Sequence, residues 1–166
     1  MITADHAIIS EENQSRNKDR YLLVVQDRHT SWLQAYPLKR KTAECALEAL
    51  KQFMPPGQIP NLIYTDGSEE LKKAAKDWAA SQDKSTPYRP QSNGRAERAV
   101  RMVKEGTSAV LLQSGFDESW WAEASQTYCF LHNVVDKTTN GYTPYELRFK
   151  ESFPGQILAF GSDVLY

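Results

Sequence analysis

Between Tyr21 and Gln26 the sequence reads YLLVVQ, a nearly continuous apolar run of strand length, and this constrains the fold more than any other stretch of the chain. A turn over Asp27 to Ser31 separates it from a second extended run, Trp32 to Leu38, so the two predict a hairpin. Ahead of them, Ile2 to Ile9 reads as a short extended segment and the polar stretch Glu11 to Arg20 as a loop. Thr42 is placed to cap a helix in which Cys45, Ala46, Ala49, Leu50 and Phe53 recur at helical spacing, and Pro55-Pro56-Gly57 ends it. Asn61 to Thr65 then predicts a short buried strand. Asp66-Gly67-Ser68 turns the chain into a helix from about Glu69 to Ala80, with Ser68 at the cap and Glu69 and Glu70 favoured by the positive end of its dipole. A proline-bearing loop follows over Thr86 to Gly94. From there a long helix runs to about Gln113 with Ala96, Ala99, Val100, Val103, Val110 and Leu111 on its apolar face, and Gly115 parts it from another, Glu118 to Val134. A hairpin set beside a strand reached through a helical crossover implies an α/β fold, a mixed sheet of about five strands flanked by helices.

Composition narrows the function classes. A chain of 166 residues, 40% hydrophobic, with 4 Trp, 8 Tyr and 6 Phe, can bury one core. Its longest stretch without a charge, Gln52 to Thr65, is too short to span a bilayer and is broken by Pro55, Pro56 and Pro60, so no membrane partner is expected. No Lys or Arg precedes an apolar run at the start, and the two cysteines, Cys45 and Cys129, form neither a disulfide framework nor a zinc spacing. These features predict an intracellular protein. The net charge of −1 argues against a polycationic binder, yet its distribution is uneven. From Lys84 to Lys104 the chain carries Lys84, Arg89, Arg95, Arg98, Arg101 and Lys104 against Glu97 alone. A local stripe matters more than a global sum, because the field at a phosphate is set within a Debye length of roughly 8 Å.

Chemistry is expected where strands end and helices begin. Asp5 falls in the first strand, Asp66 at the end of the strand after the crossover, and Glu97 in the first turn of the long helix. Three carboxylates can hold two Mg²⁺ or Mn²⁺ ions, hard cations that take oxygen ligands. Each residue also has a plainer role: Asp5 as a polar strand residue, Asp66 as a turn residue, Glu97 as a partner of Arg101 one turn later.

The block TPYRPQSNGRAERAVRMVK, Thr86 to Lys104, resembles the signature of the integrase catalytic core of retroviruses and LTR retrotransposons, in which a Pro-Gln-Ser-x-Gly loop precedes the helix carrying the last catalytic Glu. Similar to the same family are IYTDGS at Ile63 to Ser68, YLLVVQDRHTSWLQAYPLKRKTAE at Tyr21 to Glu44, and NGYTPYELRF at Asn140 to Phe149. The resemblance covers about Ile2 to Phe149 and is nearest in cast to eukaryotic retrotransposon integrases. It implies an RNase H-like fold with a catalytic and metal-binding triad of Asp5, Asp66 and Glu97, two Mg²⁺ or Mn²⁺ ions, and DNA 3′-end processing followed by strand transfer. Asp27, at the hairpin turn, is the rival for the first position. It further implies element ends and target DNA as partners, a homodimer or higher oligomer, and action in the nucleus. Residues 1–150 then form the core and 151–166 the start of a C-terminal extension, the whole being a fragment of a longer polyprotein.

Arg101 and Lys104, at i+4 and i+7 from Glu97, share its helix face and are candidates to hold DNA phosphates, with Arg95 and Arg98 on the flanks. Tyr88 and Gln91 match loop positions that approach the DNA end in the family, Asn93 beside them is a further DNA-binding candidate, and an aromatic ring at Tyr88 can stack on a splayed base. His6, His29 and His132 read as ordinary polar or packing residues. Adjacent Trp120 and Trp121 cannot both face inward from one helix. Gly67 stands directly after Asp66 where the family usually has Asn, which keeps a catalytically inactive DNA-binding or assembly module as the alternative. A structure-selective nuclease of the same fold is a third reading.

Overall fold

The computed structural model describes residues 1–65, 67–78, 82–84 and 90–163, with the side chains of 82–84 and 90–93 left aside. Strands β1 (Ile2–Ile8), β2 (Tyr21–Asp27) and β3 (Leu33–Leu38) pair antiparallel, and β4 (Ile63–Thr65) and β5 (Gln82–Lys84) add parallel beyond β1. The five-stranded sheet has the order β3-β2-β1-β4-β5. Its helices are α1 (Ala43–Phe53), α2 (Glu69–Asp77), α3 (Pro90–Ser114), α4 (Trp121–Val135) and α5 (Pro144–Phe149). This is the expected α/β mixed sheet.

The apolar run on β2 has a direct cause in this layering. Leu23 and Val25 enter a core with Ile2, Ala4, Ile63, the α1 residues Ala46, Leu50 and Phe53, and Leu71 of α2. Leu22 and Val24 point the other way, into a second core with Ala7, Leu33, Ala35, the α3 residues Ala99 and Val103, and Trp121 of α4. All four β2 residues are at most 2% exposed, so neither face of the strand tolerates a polar side chain. At roughly 1.5–3 kcal/mol for each fully buried aliphatic side chain, the strand anchors both layers.

Caps set the helix starts. The Thr42 side chain accepts from the Cys45 amide at 3.3 Å, as expected for α1. At α5, Thr143 and Glu146 form a reciprocal capping box, with bonds of 2.8 and 3.1 Å.

The structure corrects several expected boundaries. The loop expected over Thr86 to Gly94 gives way at Pro90, where α3 already begins. Proline suits a first helical turn, since its φ is preset and its missing N–H has no intrahelical acceptor there. The helix ends at Ser114, where Gly115 takes φ +72° and donates to Leu111 O. The helix expected from Glu118 opens as a 3-10 turn, Glu118–Trp120, capped by Asp117, before α4 starts at Trp121. Helix α2 stops at Asp77 rather than near Ala80, which lies outside the described residues. Strand β5 and helix α5 carry no periodic signal: QDK has no apolar alternation, and PYELRF is barely more than one turn.

The two tryptophans divide as their adjacency requires. Trp121 is buried and donates its indole N–H to Asn13 O at 3.0 Å. Trp120 lies outward, stacked on Phe116 at 4.7 Å between ring centroids and covered by the Arg16 guanidinium at 3.8 Å. From Lys150 to Asp163 the chain is irregular; Phe153 packs edge-on against Phe130 and Tyr145, and Phe160 against Phe116. No helix among the described residues is long and apolar enough to cross a membrane.

Candidate active site

Asp5 sits in the middle of β1, opposite Val24 of β2. Strand alternation puts it on the face shared with Thr3 and Ala7, the face on which α3 and α4 pack. It is half-buried, and its carboxylate Oδ1 accepts from the His6 amide at 2.8 Å. One residue back, Ala4 pairs with Thr65, the last residue of β4. The chain then turns through Gly67, whose φ of +87° suits a residue without a Cβ and whose amide donates to Thr65 Oγ1 at 3.3 Å. Asp66, between them in sequence, lies outside the described residues.

Helix α3, which carries Glu97, packs on the same face of the sheet. Ala96, Ala99 and Val103 are buried, while Glu97, Arg98, Arg101 and Lys104 are exposed, so the helix divides cleanly into a packed and an open side. Its direction follows from two contacts. Ala99 and Val103 share a core with Ala7, whereas Leu111 and Ser108 line a cleft of about 600 Å³ with Ile9 beyond the end of β1. Helix α3 therefore runs antiparallel to β1, with its C-terminal turns toward Ile9 and its N-terminal half toward the start of the strand.

The basic residues are placed on that open side. Arg95 and Arg98 are exposed, and Arg101 approaches Glu105 at 3.9 Å, a surface pair worth about 0.3–0.5 kcal/mol. Gln91 and Asn93 fall in the first turn of α3, their side chains outside the described set; Tyr88 lies outside the described residues altogether. Asp27, the rival to Asp5, serves the hairpin: its carboxylate accepts from the His29 amide at 3.1 Å and the Thr30 hydroxyl at 2.7 Å. It also shares its sheet face with Leu23 and Val25, away from α3.

Sequence reasoning missed one cluster beside this site. Glu70 of α2 pairs with Lys41 Nζ at 2.8 Å, and the buried His6 ring lies 3.6 Å from the same carboxylate oxygen. Partial burial pushes the Glu70 carboxyl up, and hydrogen bonds from Lys41, the backbone and Ser68 outweigh it, leaving its pKa below the ordinary glutamate value. Glu70 was legible only as a first-turn acid, since its partners lie on β1 and on the segment before α1. The remaining histidines have local roles, His132 bonding Asp136 at 2.9 Å. Cys129 is buried, which pushes its thiol up to about 12 and leaves it unreactive.

No family model matches the chain. Among curated proteins it is 29% identical over 136 residues to the Pol polyprotein of feline endogenous virus ECE1, a match covering 78% of this chain and 13% of that protein. It is 31% identical over 134 residues to the Pro-Pol polyprotein of feline foamy virus, covering 78% and 11%. With the Gag-Pol polyprotein of koala retrovirus, 29% identity extends over 161 residues, 93% of this chain and 9% of that one. The chain thus spans only 9–13% of the length of these relatives. Among solved structures, the catalytic core domain of BIV integrase superposes with a TM-score of 0.63 at 19% identity, covering 90% of this chain and 93% of that one. A chain of the simian T-cell lymphotropic virus intasome, solved in complex with the PP2A regulatory subunit B56 gamma, gives 0.67 at 19% identity, covering 99% and 60%.

Proposed function

We propose that this chain, whose fold is that of a retroviral integrase catalytic core, processes DNA 3′ ends and transfers them into target DNA, acting in the nucleus as a dimer or higher oligomer. The observation that supports this most is that α3, which carries Glu97 and a basic stripe on its exposed side, packs on the sheet face that Asp5 shares, while β1 also pairs with the end of β4. Resemblance to Pol polyproteins over most of the chain supports an integrase-type function.

Asp5, Asp66 and Glu97 are the residues that would hold two Mg²⁺ or Mn²⁺ ions. The donor set fits hard dications, being all carboxylate, and a half-buried Asp5 favours a compensating cation. Two uncompensated carboxylates about 4 Å apart repel by roughly 4 kcal/mol at an effective dielectric of 20. When bound, such ions lower the pKa of a nucleophilic water or hydroxyl and offset charge on the attacking and leaving oxygens. In end processing, water oxygen bonds to phosphorus and the phosphodiester breaks to free a 3′ hydroxyl. In transfer, that 3′ oxygen bonds to a target phosphorus and displaces the target's own 3′ oxygen, with no covalent enzyme intermediate.

The chain's own residues orient the DNA. Arg101 and Lys104 hold phosphates beside Glu97, Arg95 and Arg98 flank them, and Tyr88, Gln91 and Asn93 meet the DNA end. Replacing Arg101 and Lys104 together with Ala should weaken binding about equally for all sequences and lower the salt slope by roughly one to two units. Glu97→Gln should leave metal-free binding intact or tighter while Mn²⁺-dependent cleavage falls by orders of magnitude. Filter binding and cleavage over one salt series read both. Cleavage that survives Glu97→Gln would refute the assignment and leave a DNA-binding or assembly module as the better reading.

A further inference from the structure

Three segments distant in sequence meet at Glu70. Its carboxylate receives Lys41 Nζ at 2.8 Å from the segment between β3 and α1, and faces His6 Nδ1 at 3.6 Å from β1. The Glu70 side chain is 18% exposed and that of His6 2%, so the pair is shielded by protein and screened less than a surface bridge. His6 is also the residue whose amide holds Asp5 Oδ1 at 2.8 Å. Glu70 lies in the first turn of α2, directly after the Gly67-Ser68 turn that leaves β4. One carboxylate therefore ties the entry of α2 to the Asp5 segment of β1, and Lys41 fixes the carboxylate from outside.

Helix propensity does not explain this arrangement. A first-turn glutamate serves the helix dipole equally well when it points to solvent, as neighbouring Glu69 does with its side chain 87% exposed. Glu70 instead turns inward toward His6, where partial burial opposes its charge and the Lys41 ammonium, with hydrogen bonds from the backbone and Ser68, favours it.

We infer that Glu70, held by Lys41 and facing His6, is a positioning residue that sets the α2 entry turn against the Asp5 segment of β1 and so pre-organises the carboxylate site for divalent metal. This rests on the integrase reading of that site. Outer partners of metal-binding carboxylates, when removed, commonly cost about 10- to 100-fold in metal affinity.

The test is a calorimetric titration of the 166-residue chain with Mn²⁺ alone, without DNA, beside a thermal melt without metal. Glu70→Ala and Lys41→Met should each raise the Mn²⁺ dissociation constant about 10-fold, and the double variant no more than either single one, because the two act as a unit. Glu70→Gln, which still accepts a hydrogen bond from Lys41, should fall between them and wild type. If Glu70→Ala does not fold, the more exposed Lys41→Met carries the comparison. Wild-type affinity in both Glu70→Ala and Lys41→Met, whatever their melting temperatures, overturns the positioning role alone. A wild-type chain that neither binds Mn²⁺ nor cleaves DNA overturns the site reading, and this inference with it.

Discussion

Gly106, midway along α3, should obey opposite rules in two backgrounds. On helix propensity alone, Gly106→Ala stabilises an interior helical position by about 1 kcal/mol. The structure reverses that sign. A Cβ at this position would fall inside the van der Waals envelope of ring carbons Cδ2, Cε2 and Cζ of Tyr128 on α4, where carbon pairs normally meet at about 3.5–4.0 Å. The Tyr128 ring has limited room to withdraw, being half-buried on α4 with its hydroxyl pKa raised chiefly by burial. Overpacking of this kind costs about 1–3 kcal/mol beyond the transfer terms, so it equals or exceeds the propensity gain and could leave the single variant up to about 2 kcal/mol less stable. In a Tyr128→Ala background the clash is gone, and the same glycine replacement should stabilise by about 1 kcal/mol. The coupling across the cycle is then about 1–3 kcal/mol, well above the error of urea unfolding with constant m-value. A domain of this size should show the effect as a few degrees in Tm per kcal/mol. Equal stabilisation by Gly106→Ala in both backgrounds would refute the argument that this glycine sets the α3–α4 approach.

Two further outcomes follow from single residues. The buried Asn133 of α4 accepts from Leu33 N at 2.9 Å and donates to Leu33 O at 2.7 Å, completing the outer edge of β3; Asn133→Leu leaves both groups unpaired and should cost about 2–5 kcal/mol in urea unfolding, a loss under 1 kcal/mol contradicting it. Because the Glu70 carboxyl is held below its ordinary value of 4.5, its contribution is present above that pH and lost as the pH falls through the lower folded value. The stability gap between wild type and Glu70→Gln should therefore close on acidification in that window, and a gap that widens there contradicts the ion pair.

The layering of this protein was legible in its sequence because burial writes itself into local pattern. YLLVVQ announces a strand covered on both faces, and Ala96, Ala99 and Val103 trace the one packed side of α3 at helical spacing. Thr42 marked its helix start because an N-cap bond is made within four residues of chain. The candidate site was legible in part for the same reason: Asp5 in a strand and Glu97 beside buried alanines have local signatures, and the Pro-Gln-Ser-x-Gly block gave them a family context. What local pattern could not decide was anything whose cause lies across the fold. Asp27 reads from the sequence as a hairpin-turn residue, but only sheet register shows Asp5 on the α3 face and Asp27 on the opposite one. Gly106 reads as a helix defect until Tyr128 stands over it, and Asn133 as a misplaced polar residue until the bare edge of β3 claims its amide. Glu70 is the clearest case, since its ion-pair partner is a lysine 29 residues earlier and it faces a histidine on the first strand, and such compensation exists only once the chain has folded to bring them together.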